Sequence, residues 1–200
     1  MRIIAKNIAK RYNRNVVFKD FSQTFEQGKT YAILGPNGSG KSTLLKTIAS
    51  MIEPDNGSID YHNSFTSQTV FQTLGYVAPY IDIPEEYTFK EIISFHSNFR
   101  KPELEADEII ERCELSRFAN TPIKEFSSGM KQRVKLSLVL FFKNFLRIYD
   151  EPCSHLDQNG FSWFKQHVKA GAEHSIVIIG SNNPEEYASA DLHIDIQTFK

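Results

Sequence analysis

At 200 residues, 40% hydrophobic and 24% charged, the chain is long enough for one buried core with an embedded subdomain and too apolar for wholesale disorder. Lys plus Arg number 23 and Asp plus Glu 24, a formal net charge of −1 that argues against a protein coating duplex nucleic acid with a basic surface. Two cysteines, Cys113 and Cys153, are too few for a disulfide framework or a structural zinc site and fit a reducing compartment.

Residues 1–10 carry Arg2, Lys6 and Lys10 with no unbroken apolar stretch, a pattern unlike a signal peptide. Partial alternation of apolar and polar residues predicts extended segments at 2–5 and 16–25, before the Gln27-Gly28 turn. Residues 30–34 read as a short buried strand. It runs into Gly35-Pro36-Asn37-Gly38-Ser39-Gly40-Lys41-Ser42-Thr43, after which Leu44, Leu45, Ile48 and Ile52 recur at helical spacing as far as Glu53-Pro54. Residues 61–81 lack Asp, Glu, Lys and Arg but are rich in Ser, Thr, Gln and Asn, which predicts hairpin or sheet with extended stretches at 69–71 and 74–77.

From 84 to 120 the pattern turns helical, with Ile92, Ile93, Leu104, Ile109, Ile110 and Leu115 among charges, as expected of an inserted helical subdomain. A further helix starts near Ser127 and Ser128, either of which can cap it, and runs through Val134, Leu138 and Phe142. Buried strands follow at 145–149 and 176–179, separated by a helix around 161–169. That alternation predicts an α/β fold with a largely parallel sheet. The longest purely apolar run, 138–142, is far short of the roughly 18 residues a spanning helix needs.

Gly35 to Ser42 satisfies G-x-x-x-x-G-K-[ST] between a strand and a helix. Glycines let successive N–H groups face inward, and the positive end of the following helix points at the same spot, making a seat for phosphate oxygens. Lys41 is expected to reach the β and γ phosphates, and the Ser42 hydroxyl to ligate Mg²⁺. The strand at 145–149 ends in Asp150-Glu151, where Asp150 can hold the magnesium shell and Glu151 can face the attacking water. Arg147, inside that strand, requires a partner or a route to solvent that the sequence does not reveal.

These residues resemble the nucleotide-binding subunit of ABC transporters over nearly the whole chain. Lys10-Arg11-Tyr12 looks like the family's aromatic loop, with Tyr12 stacking on adenine. Phe126-Ser127-Ser128-Gly129-Met130 is similar to the LSGGQ signature, with Ser128 for the first glycine and Met130 for the final glutamine. Asp150-Glu151-Pro152 and Ser154-His155-Leu156-Asp157 resemble the Walker B and D-loop run, and Thr88-Phe89-Lys90-Glu91 the opening of the helical subdomain.

The resemblance implies a single P-loop NTPase domain over 1–200. Its parts are a mostly parallel core sheet, an N-terminal antiparallel β subdomain and a helical subdomain at about 84–143. It further implies ATP and Mg²⁺ as cofactors. Nucleotide would be bound by Tyr12, by Gly35, Pro36, Asn37, Gly38, Ser39, Gly40, Lys41, Ser42 and Thr43, and by Ser127, Gly129 and Asp157. Metal would be held by Ser42 and Asp150, and catalysis carried by Glu151, Lys41 and Asn182. The implied partners are membrane permease subunits and a second ATPase, identical or not, paired head to tail on the cytoplasmic face of the membrane, with no direct nucleic-acid binding.

Two departures bear on turnover. Pro79 stands where the family usually has a glutamine, and Asn182 stands where it has the switch histidine; proline has no side-chain donor and an amide cannot become cationic. They leave open a poorly hydrolysing structural subunit beside the transport ATPase. A soluble ABC ATPase acting on DNA or ribosomes is the other rival. Lys41 and Ser127 lie too close in sequence for a long coiled-coil insertion, and only one cassette is present.

Overall fold

The computed structural model describes residues 1–61, 66 and 69–200. In chain order its strands and α-helices are β1 (Arg2–Tyr12), β2 (Asn15–Glu26), β3 (Thr30–Leu34), α1 (Lys41–Ile48), β4 (Asn56–Asp60), β5 (Leu74–Val77), α2 (Phe89–Ser97) and α3 (Ala106–Arg112). They continue as α4 (Ser128–Leu140), β6 (Leu146–Asp150), α5 (Gln158–Ala170), β7 (Ile176–Gly180), α6 (Pro184–Tyr187) and β8 (Leu192–Asp195). An antiparallel sheet in the order β2-β1-β4 stands beside a parallel sheet in the order β5-β6-β7-β3-β8. This is the expected α/β architecture with an N-terminal antiparallel sheet.

β1 and β2 bury Ile3, Ala5 and Ile8 against Phe18, Phe21 and Phe25. β1 runs well past the predicted 2–5 segment because register shifts after Ala5 and Ile8, with Asn7 at φ 48°, break the period-two pattern without ending the pairing. In the parallel sheet, alternate residues divide between two cores. Ile148, Ile176 and Ile178 join the core shared with α1 and β1–β2, whereas Tyr149, Val177 and Ile179 join the core of α2, α3, α4 and α5.

Two local expectations are corrected. Residues 69–71 are not extended: Val70–Thr73 forms a 3₁₀ turn, with Val70 buried and its neighbours facing water. The remainder of that prediction at 62–65 and 67–68 lies outside the described residues. The helix after the glycine-rich loop stops at Ile48 rather than near Glu53, because Ser50 turns left-handed at φ 59° and the Met51 N–H closes back on the Lys46 carbonyl at 2.9 Å.

Arg147, 1% exposed, does find a partner. Its Nη2 lies 2.9 Å from Glu103 Oε1, in the connection between α2 and α3. The guanidinium also fixes its neighbour: a Cβ on Gly171 would lie 1.7 Å from Arg147 Nη1.

Candidate phosphate-binding site

β3 delivers the chain to the carboxyl edge of the parallel sheet, and α1 carries it away. Between them Gly35, Gly38 and Gly40 adopt φ of 143°, 76° and 104°, values an L side chain resists. Space adds a second reason at Gly40, where a Cβ would meet Val17 Cγ1 at 2.5 Å. Lys41 opens α1 and is 4% exposed; its ammonium donates to the Gly35 carbonyl at 2.8 Å and the Pro36 carbonyl at 3.2 Å. The loop thus folds around its own cation, the counter-charge a phosphate oxygen would engage.

The loop is braced from behind. Ile196 packs under Gly35, and Lys200 Nζ donates to the carbonyls of Ser39 at 2.6 Å and Val17 at 2.9 Å. Ser39 is buried, and its hydroxyl has no hydrogen-bond partner. On the solvent side, Asn182 Nδ2 donates to Asn37 Oδ1 at 2.9 Å, so Asn182 touches the loop directly.

β6 ends beside this loop. Asp150 is 1% exposed, with Oδ1 lacking any hydrogen-bond partner and Oδ2 3.4 Å from the Tyr80 hydroxyl. Loss of hydration raises its carboxyl above the usual range, with Glu151 adding repulsion, while the Ser42 side chain, Tyr80 and Lys41 pull it down. A buried carboxylate with an uncommitted oxygen, beside a hydroxyl and a phosphate-binding loop, fits a magnesium ion, which takes one or two protein oxygens and completes its shell from phosphates and water. Among the described residues no cluster of three or more His, Cys, Asp or Glu could hold a metal alone. Glu151 follows at φ 49° with its N–H bonded to the Gly180 carbonyl at 2.8 Å, a left-handed backbone that turns the chain off the sheet edge.

The other candidate residues gather elsewhere. Ser127 caps α4, its hydroxyl accepting the Met130 N–H at 3.3 Å. Ser127, Gly129 and Asp157 line one open cleft of about 430 Å³, to which the glycine-rich loop contributes nothing. Asp157 also caps α5, its Oδ1 accepting the Gly160 N–H at 2.8 Å. Tyr12 stands half exposed at the end of β1, with Lys10 Nζ 5.9 Å from its ring centre.

Tyr80 and Tyr76 escape the sequence reading. Their hydroxyls lie 2.7 Å apart, and Lys46 of α1 sits 3.9 Å above the Tyr80 ring. The signal that could have found Tyr80 was its place next to Pro79. Beside them lies an apolar groove of about 230 Å³ walled by Tyr76, Ile81, Ile83, Ile92 and Phe95.

A family model described as ABC transporter matches residues 18–154. Among curated proteins, the uncharacterized ABC transporter ATP-binding protein YcbN of Bacillus subtilis is 30% identical over 164 residues, covering 80% of this chain and 53% of YcbN. The chain therefore spans about half the length of that relative. Among solved structures, a putative ABC transporter ATP-binding protein from Pyrococcus furiosus superposes with TM-score 0.86 over 100% of both chains at 23% identity. A dimeric bacterial ABC transporter cassette, MJ0796, superposes with TM-score 0.82 at 21% identity, covering 96% of this chain and 94% of that one.

Proposed function

Since the chain belongs to the ABC transporter family, we propose that it is the ATP-binding and ATP-hydrolysing subunit that drives a substrate through separate membrane subunits. One observation carries the reading most directly: buried Asp150, with a free carboxylate oxygen, faces Ser42 and Lys41 of a glycine-rich loop whose helix points its positive end outward.

Lys41 exchanges its two carbonyl partners for phosphate oxygens, and the loop N–H groups receive the rest of the negative charge. Ser42 and Asp150 hold Mg²⁺, which when bound neutralises charge on the phosphoryl oxygens. Glu151, half-buried and next to Asp150 in the chain, orients or deprotonates the attacking water. Asn182 supplies a hydrogen bond to the terminal phosphate after leaving Asn37, and Tyr12 offers a stacking face for the base.

The loop and the signature cleft lie in different places, so one chain does not enclose a nucleotide from both sides. A second ATPase subunit, identical or not, placed head to tail brings Ser127, Gly129 and Asp157 over the phosphate held by its partner. The groove beside Tyr76, with Phe95 and Phe99 exposed at its rim, gives the membrane subunits an apolar place to grip on the cytoplasmic side. Among the described residues no helix is long and apolar enough to cross a membrane.

A slow or non-hydrolysing subunit is the second reading, favoured by the neutral Asn182 and its bond to Asn37. Glu151→Gln separates the two. With nucleotide binding retained, phosphate release is expected to fall by about 10²- to 10⁴-fold, the scale of a positioned acid or base. A wild-type chain that binds ATP in its assembled complex but releases no phosphate supports the second reading.

A further inference from the structure

The Tyr80 hydroxyl touches the one buried carboxylate of the site, yet the proposed chemistry gives it no task. The phenol is fixed from three directions. Lys46 of the loop helix lies 3.9 Å above its ring, Tyr76 at the end of β5 lies 2.7 Å from its hydroxyl, and the turn closed by the Ile81 N–H on the Ala78 carbonyl at 3.1 Å presents it to Asp150.

Each phenol has one hydrogen to give. An ionised Asp150 only accepts, so Tyr80 donates to Oδ2, and Tyr76 donates in turn to the Tyr80 oxygen. Burial pushes the Tyr80 phenol up to about 12 and holds Tyr76 higher still, so both stay neutral donors near neutral pH. At 3.4 Å the Tyr80–Asp150 contact is longer than an ordinary hydroxyl–carboxylate hydrogen bond, a weak hold readily exchanged for a metal ion. Tyr76 also walls the apolar groove together with Ile81, Asp82 and Ile83, so the hydroxyl chain connects the carboxylate to the groove.

We propose that Tyr80 is a positioning residue that competes with the divalent cation for the Asp150 carboxylate, holding it while the metal site is empty and releasing it, with a shift of the 78–83 turn toward the groove, when metal binds. The proposal rests on the assignment of Ser42 and Asp150 to a metal–nucleotide site.

Tyr80→Phe removes the hydroxyl and keeps the ring under Lys46. The full chain is first tested for binding of a fluorescent ATP analogue in EDTA, which depends on the loop and not on the metal. Mn²⁺ affinity of the nucleotide-bound chain is then measured by electron paramagnetic resonance, and amide hydrogen exchange is followed over 78–83. Tyr80→Phe is expected to bind Mn²⁺ about 3- to 10-fold more tightly, as loss of one long, weak hydrogen-bond competitor implies. In the wild type, exchange at 78–83 changes on adding Mn²⁺; in Tyr80→Phe the segment already shows the metal-bound rate. Tyr76→Phe, which leaves the Tyr80–Asp150 contact, is expected to fall between the two.

Equal Mn²⁺ affinity in wild type and Tyr80→Phe, or weaker binding in the variant, overturns the role of Tyr80 while leaving the nucleotide site standing. Failure of the wild-type chain to bind the analogue in EDTA overturns the parent assignment, and the Tyr80 proposal with it.

Discussion

Two helices begin at places that invite a phosphate, and the chain treats them in opposite ways. At α1 the entry is braced by the chain itself: Gly40 lies against Val17, Lys41 is buried over the loop carbonyls, and Ile196 and Lys200 support the back. At α4 the entry is held by a Ser127 cap and opens into a cleft that nothing among the described residues covers. Both ends offer the same partial charge. The difference teaches that the first entry is built from residues gathered within one chain, whereas the second, on the proposed reading, waits for a ligand brought to it.

If that contrast is correct, Lys41→Ala breaks only the first site, and breaks it hardest. The ammonium makes two hydrogen bonds that a phosphate would inherit, and charge-assisted bonds are worth about 1.5–3 kcal/mol each. Losing about 3 kcal/mol corresponds to roughly 10²-fold weaker ATP binding, measurable by equilibrium titration of the purified chain. Unchanged affinity removes the loop from the phosphate site altogether.

Gly40→Ala tests the braced character of the same entry by another route. The new methyl meets Val17 Cγ1 at 2.5 Å on a backbone at φ 104°, and a side chain forced into such a region costs about 1–3 kcal/mol. For a chain of this size each kcal/mol lowers the melting temperature by about 2–4 °C. A drop of about 4–8 °C by calorimetry is expected, and no change would mean that the loop is looser than the α4 entry rather than tighter.

The same contrast governs what the sequence discloses. The glycine-rich loop is legible because its chemistry is local: spacing, lysine and hydroxyl all lie within one turn of backbone. The edge strands β4 and β8 are not, since Asn56–Asp60 and Leu192–Asp195 are mostly exposed and lack the apolar run that marks a buried strand. Arg147 reads as an anomaly until Glu103, distant in sequence, is brought to it by the bridge between Pro102 and Phe142 and the bond of the Glu103 N–H to the Phe141 carbonyl. Tyr80 is invisible for the same reason, because its importance depends on Asp150 and Lys46, which only the fold places beside it.

Ser127→Ala carries the smallest expected effect and sharpens the comparison most, because it perturbs the open entry alone. Loss of an N-cap costs about 1 kcal/mol, so the melting temperature should fall by about 2–4 °C. ATP binding to the isolated chain should stay within about twofold of wild type, since Ser127 shares no wall with the glycine-rich loop. Nucleotide-driven self-association, followed by analytical ultracentrifugation in the Glu151→Gln background, should weaken by about 30-fold if both cleft mouths of a symmetric pair lose a contact near 1 kcal/mol. Ser127→Asn then divides capping from ligand contact, because asparagine caps a helix as well as serine but replaces the hydroxyl. Association restored by asparagine would reduce Ser127 to a cap, whereas association still weakened with stability recovered would place the hydroxyl against the partner's nucleotide.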